Sequence, residues 1–203
     1  MIFEYMYISL GASCAISNYL KTFTKQETLP FDWTRINITQ LNMVLSNHFK
    51  EYSDIRITKY SENYESYILK NNYNIQFAHE ILNKYELNEF KIKLEKRIIK
   101  FYEILKNSVD QLNFIRFEFS PYKKGYFNEF IKLLNIIHEN KNENCNVNIK
   151  LILHKSYEDK IDFYNNKIKI KLNKFRIETY FYNNFSSDWK YPNINWQNIL
   201  KTY

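Results

Sequence analysis

Met6-Tyr7-Ile8-Ser9-Leu10-Gly11-Ala12-Ser13-Cys14 decides the fold class of this chain. Met6 to Leu10 is a short apolar run that stops at a glycine, the pattern of a buried strand. Ser13 is a good N-cap, and a helix from Cys14 to about Phe23 places Ile16, Tyr19, Leu20 and Phe23 on one face. A strand, a tight turn and a helix open an α/β unit. The 203 residues include three alanines and two glycines. Four of those five are Gly11, Ala12 and Ala15 around Cys14, and Ala78 before His79. Elsewhere Asn, Lys, Ile, Tyr and Phe dominate, the residues of A- and T-rich codons. Small residues kept in such a chain mark backbone that turns sharply or approaches something closely.

Working outward, Leu29-Pro30-Phe31-Asp32-Trp33 reads as a fixed turn, because Pro30 restricts both itself and Leu29. A helix from about Thr39 to Phe49 follows. Ile55 to Tyr60, Tyr64 to Leu69 and Tyr73 to Ala78 read as strands, the first two as a hairpin. Glu89 to Lys106 is the clearest helix, with Phe90, Leu94, Ile98, Phe101 and Leu105 on one stripe. Leu112 to Phe119 is a dense apolar strand carrying Arg116 and Glu118. A turn at Pro121 to Gly125 leads into a helix using Phe127, Phe130, Ile131, Leu134 and Ile137. Val147 to Leu153, Ile168 to Leu172 and Arg176 to Tyr182 read as further strands, the last two as partners, and a short helix starts near Trp196. Strands alternating with helices predict an α/β fold: one three-layer domain over residues 1–203, with a mostly parallel, Rossmann-like sheet flanked by helices.

Composition narrows the function classes. A length of 203 residues with 45% hydrophobic and 18% aromatic side chains supports a core without staples, although the mean hydropathy is −0.54. The net charge is +7, but the lysines are spread through every segment, so a solvated basic surface is expected and nucleic-acid binding is not. Cys14 and Cys145 give no disulfide framework and no Cys-x-x-Cys spacing. Met1 to Tyr7 lacks the basic segment of a signal peptide, and no apolar run approaches the ~20 residues of a membrane span. The expectation is a reduced, soluble, cytoplasmic protein. No Walker or glycine-rich dinucleotide loop and no metal-ligand spacing occurs, so neither metal nor cofactor is expected.

Cys14 is the strongest chemical signal. A cysteine in the first turn of a helix meets the positive end of the helix dipole, which favours the thiolate that attacks a carbonyl carbon. The bland reading is a buried structural cysteine. A thiolate needs a base. His79 and His154 each follow an apolar strand, where open α/β sheets collect ligands, while His48 and His138 sit on polar helix faces. Asp32, between Phe31 and Trp33, is placed to orient a histidine or to bind an amide, or only to cap its turn. Gly11, Ser13 and Trp33 are candidate substrate contacts. Arg116 and Glu118 share one side of their strand, either as an internal ion pair or as an anchor for an anionic group. Arg97 is expected at a helix–sheet boundary, Trp189 and Trp196 as packing, and Asp188 as a turn residue or cap.

Ile8-Ser9-Leu10-Gly11-Ala12-Ser13-Cys14, Leu20 and Pro30-Phe31-Asp32-Trp33 together resemble the opening signature of the putative papain-like cysteine peptidases. Phe77-Ala78-His79-Glu80, Lys96-Arg97-Ile98-Ile99-Lys100-Phe101 and Phe114-Ile115-Arg116 are similar to later motifs of that family. The likeness runs from about Tyr7 to Glu118, with a weaker echo at Asp188-Trp189. It implies a thiol nucleophile at Cys14 and a general base at His79. In papain-like enzymes the third, orienting residue follows the histidine. Asp32 precedes His79 here, so Glu80, Glu118 and Asp188 compete with Asp32 for that role. The expected function is a thiol hydrolase or acyl-transferase acting on a peptide or another acyl or amide compound. The competing reading is an α/β enzyme or binding protein that holds a sugar or phosphorylated metabolite at the Gly11–Cys14 turn without covalent chemistry, with Arg116 and His154 in the site.

Overall fold

The computed structural model describes residues 7–24, 26–161 and 175–200. Two sheets carry the chain. β1 (Tyr7–Ser9), β6 (Gln111–Glu118), β7 (Asn146–His154) and β8 (Phe175–Tyr182) form a parallel sheet in the order β1-β6-β7-β8. β2 (Thr34–Arg35), β3 (Ile55–Ser61), β4 (Ser66–Asn71) and β5 (Gln76–Phe77) form an antiparallel sheet in the order β2-β5-β4-β3. The helices are α1 (Cys14–Thr24), α2 (Ile38–Ser46), α3 (Leu87–Asn107), α4 (Tyr126–Asn140) and the short α5 (Trp196–Leu200).

Side chains alternate across a strand, so each strand of the parallel sheet divides its apolar residues between two faces. Ile8, Leu10, Leu112, Phe114, Val147, Ile149 and Leu151 join a large cluster with buried residues of α2, α3 and α4. Tyr7, Ile115, Phe117 and Ile152 join a second cluster with α1 and α5, through Ile16, Leu20, Trp196 and Ile199. Both faces are covered, which is why the strands read as nearly unbroken apolar runs.

The expectation of a single sheet needs correction. The strands between residues 34 and 77 pair among themselves, because short antiparallel turns let them close locally while parallel pairing needs long crossovers. The strand expected at Tyr73–Ala78 shrinks to Gln76–Phe77. The Asn71 side chain accepts hydrogen bonds from the Tyr73 and Ile75 amides, and Asn74 turns left-handed at φ 58°. The helix expected to reach Phe49 ends at Ser46, where His48 and Phe49 are left-handed. Arg176–Tyr182 is a strand as expected, but it pairs in parallel with β7. The strand expected at Ile168–Leu172 lies outside the described residues. Among the described residues, no helix is long and apolar enough to cross a membrane.

Candidate active site around Cys14 and His79

The turn after β1 is forced by contact. Gly11 has φ +69°, and a Cβ there would sit 2.3 Å from Ile36 Cγ2 and 2.8 Å from Thr34 Oγ1. Glycine is the one residue that fits both the torsion and the space. Ala12 follows with φ 81°, an unusual torsion for a residue with a Cβ. Ser13 Oγ then accepts from the Ala15 N–H and starts α1. Arg116 clamps this corner from beneath. Its guanidinium donates to Leu10 O (2.8 Å), Ile36 O (3.2 Å) and Glu118 Oε2 (3.0 Å).

Cys14 opens α1 against the antiparallel sheet, in a small apolar cluster with Ile68, Ala78, Trp33, Tyr64 and Trp189. It is 5% exposed. The same crossing holds His79. Ala78 N–H donates to Trp33 O (3.1 Å) and His79 N–H to Ser66 Oγ (3.0 Å), with His79 at φ 62°. The imidazole is caged by three rings, with centroids 4.5 Å from Trp189, 4.9 Å from Tyr64 and 5.3 Å from Trp33. Its Nε2 is buried with no hydrogen-bond partner. A buried polar atom left in that state costs about 1–3 kcal/mol. Left-handed torsions at Ala12, Trp33 (φ 59°) and His79 add strain of about 1–3 kcal/mol each. Such a concentration of strain and unmet polarity is what functional sites carry.

The electrostatics correct one expectation. The helix start was expected to hold Cys14 as thiolate, yet burial pushes its thiol up to about 12. Arg35 is the main opposing influence, while Glu80 and Asp32 raise the value further. Desolvation wins because the dipole and the solvent-exposed Arg35 act weakly against a nearly complete loss of water. At neutral pH the protonated thiol therefore prevails. His79 moves the other way, lowered by burial and then by the nearby Lys190 charge, so it is neutral at pH 7. No hydrogen bond joins the Cys14 sulfur to the imidazole; the two share the aromatic cluster as neutral groups.

Asp32 is buried, with Oδ2 accepting from the Leu29 N–H (2.7 Å) and Oδ1 from the Ser17 hydroxyl (3.0 Å). Ser17 Oγ accepts from the Trp33 N–H (2.8 Å), so Asp32 ties the Leu29–Trp33 turn to α1 and does not bond His79. Burial, partly offset by those bonds and by Arg97, raises its carboxyl to about 6. Glu80 is bound in a fork by Arg97, at 2.6 and 3.1 Å. Glu118 is held by Arg116 and Ser120, and Asp188 accepts from the Lys190 N–H. None of the four candidate carboxylates hydrogen-bonds the imidazole.

Other candidates fall elsewhere. Arg116 is fully buried and spends its fork on carbonyls and Glu118, so the internal ion pair is what forms and the anion anchor is not. Glu118 and Tyr126 border a cavity of about 470 Å³ at the carboxyl end of β6, which Cys14 and His79 do not line. His154 stacks on Phe185 (4.7 Å) and meets Ser156 and Asn183, away from the Cys14 cluster. Trp196 packs as expected, and Asp188 is a turn residue. Arg35 and Tyr64 were missed, and Trp189 was assigned only to packing. One signal for Arg35 was available: in a lysine-rich chain with five arginines, each retained guanidinium asks for a reason. Among the described residues, no group of three or more His, Cys, Asp and Glu is arranged to hold a metal ion.

A family model described as putative papain-like cysteine peptidase matches residues 5–157, a span that holds Cys14, Asp32, His79 and Arg97 and ends before Trp189. No curated protein and no solved structure matches the chain.

Proposed function

The chain belongs to the putative papain-like cysteine peptidase family, and from that premise we propose that it is a thiol hydrolase or acyl-transferase with Cys14 as nucleophile and His79 as general base. The observation that carries this reading is the His79 ring: a neutral imidazole, with a buried and unpartnered Nε2, packed on the Trp33, Tyr64 and Trp189 rings of the cluster that holds the thiol. Cys14 passes its proton to that nitrogen as sulfur attacks the carbonyl carbon. Amides at the start of α1 hold the oxyanion. Collapse of the adduct breaks the bond to the leaving amine or alcohol, and His79 returns the proton to that group. Water, giving its proton to His79, then splits the thioester and releases the acid, while the sulfur recovers a proton. Asp32 is a positioning residue that fixes the Trp33 wall to α1. The same reading takes residues 1–203 as one domain, whose parallel sheet with covered faces is the central layer of a three-layer, Rossmann-like arrangement.

The raised thiol favours a second reading, in which Cys14 is structural and the Gly11–Cys14 turn binds a metabolite without covalent chemistry. A panel of aryl and alkyl thioesters, esters and anilides separates the two. Cys14→Ala abolishes turnover of whichever compound the wild-type protein cleaves, and so does Cys14→Ser to within a few per cent. Turnover kept by either variant removes the nucleophile and leaves the second reading.

A further inference from the structure

We propose that residues 183–190 form a strap whose Trp189 ring occupies the apolar subsite beside Cys14 and His79, so that the compounds admitted there carry an aromatic ring in its place. This rests on the reading of Cys14 and His79 as the site, and it adds a regulator and a substrate class.

The strap is pinned at both ends, and between the pins residues 186–190 reach the site through Trp189. At its start, Tyr182 is buried with its hydroxyl donating to Glu118 O (3.1 Å), and Asn183 O meets the His154 ring. At its far end, Tyr191 packs edge-on against Phe117 at 4.7 Å. Asn184 O accepts from the Asn193 side chain (3.2 Å) and Phe185 stacks on His154 (4.7 Å), so the start of the strap is held through residue 185. From residue 186 to the far anchor, the hydrogen bonds seen among the described residues stay inside the segment. Asp188 N–H donates to Ser186 Oγ, Lys190 N–H to Asp188 Oδ1, and Tyr191 N–H to Asp188 O. Phe185 is 49% exposed. What crosses to the site is the Trp189 ring, 4.5 Å from His79, 6.3 Å from Trp33 and 6.4 Å from Tyr64. The part from residue 186 to residue 190, whose hydrogen bonds are its own or run to the Tyr191 anchor, can lift on Trp189 alone without leaving backbone groups unpaired, which makes its opening a low-cost local event.

The space vacated on opening has a definite chemistry. Trp33, Tyr64 and His79 meet the indole with tilted and edge-on rings, the geometry in which aromatic quadrupoles attract, and Ile68 and Ala78 complete the wall. An aromatic ring flanking the scissile carbonyl would restore those contacts, whereas a small or charged group would leave the imidazole against water. Opening would also admit solvent to the thiol and withdraw Lys190 from His79, moving both groups toward the ionised pair that attack requires.

The test reads alkylation of Cys14 by iodoacetamide with peptide-level mass spectrometry, using the fully buried Cys145 as an internal reference. Trp189→Ala is expected to speed labelling of Cys14 at least tenfold with Cys145 unchanged, and millimolar indole is expected to slow it again by refilling the subsite. N-Benzyl chloroacetamide should outpace N-methyl chloroacetamide in that variant. In the wild-type protein, Cys14 labelling should stay flat across sub-denaturing urea while Cys145 labelling climbs with global unfolding. Equal slow labelling of Cys14 with and without Trp189, no response to indole, or parallel urea slopes for the two cysteines each overturn the strap. These readouts stand apart from turnover: a strap that opens over a Cys14 whose loss leaves hydrolysis intact would fail the proposed function alone.

Discussion

Gly11→Ala tests whether the turn that positions Cys14 is built by contact. The new Cβ would lie 2.3 Å from Ile36 Cγ2 and 2.8 Å from Thr34 Oγ1, and both neighbours are fully buried. The Arg116 fork holds Leu10 O and Ile36 O together, so the two segments cannot simply part. Left-handed strain at φ +69° costs roughly 1–2 kcal/mol. Overpacking in a clamped corner adds about 1–3 kcal/mol. The expected loss is therefore about 2–5 kcal/mol, a large part of the stability of a domain this size. With a urea slope of roughly 3 kcal/mol per molar, that is a midpoint shift of about 0.7–1.7 M. Ile36→Ala removes the closest clashing atom and leaves the Thr34 contact, so in that background Gly11→Ala should cost less, with the strain of about 1–2 kcal/mol and only part of the overpacking remaining. A loss below about 0.5 kcal/mol, or an equal loss in both backgrounds, would refute the argument.

Asp32 carries a pH signature. Its carboxyl is raised from 3.8 to about 6, so the folded state binds the extra proton between those values, and the contribution present below 3.8 is lost as pH rises through 6. Wild-type stability should fall by about 3 kcal/mol from this group between pH 3.5 and 7, and Asp32→Asn should flatten that slope in urea titrations at fixed pH. Arg116→Ala leaves Glu118 buried without its partner and frees two carbonyls, so denaturation should show a loss of at least about 3 kcal/mol. In NMR titration, the His79 ring should change charge below the usual histidine range in the wild-type protein and closer to it once Lys190→Met removes the strap's charge.

What could be read from the chain was local. Tyr7–Leu10, Gly11 and Ser13 specify strand, turn and helix through neighbours in sequence, and the apolar runs of β6 and β7 and the stripe of α3 announce themselves by their patterning. Gly11 stood out because a glycine kept in so glycine-poor a chain marks a sharp turn or a close approach, and at Gly11 both occur. β2 and β5 were not legible as a sheet, since two-residue strands have no period to detect. The protonation state of Cys14 was lost for a different reason. The dipole that favours thiolate is written in the local sequence, but the desolvation that opposes it comes from Ile68, Ala78 and Trp189, brought together only by folding. Arg116 shows the same gap: its side of the strand was predictable, its carbonyl partners at Leu10 and Ile36 were not.

The most direct test of the central claim is the pH profile of Cys14 alkylation in Trp189→Ala, measured with His79 present and with His79→Gln. If sulfur and imidazole act as a pair, the rate near neutral pH follows the His79 titration and falls at least tenfold in the double variant. Identical profiles in the two proteins, each rising only with an isolated thiol, would contradict it.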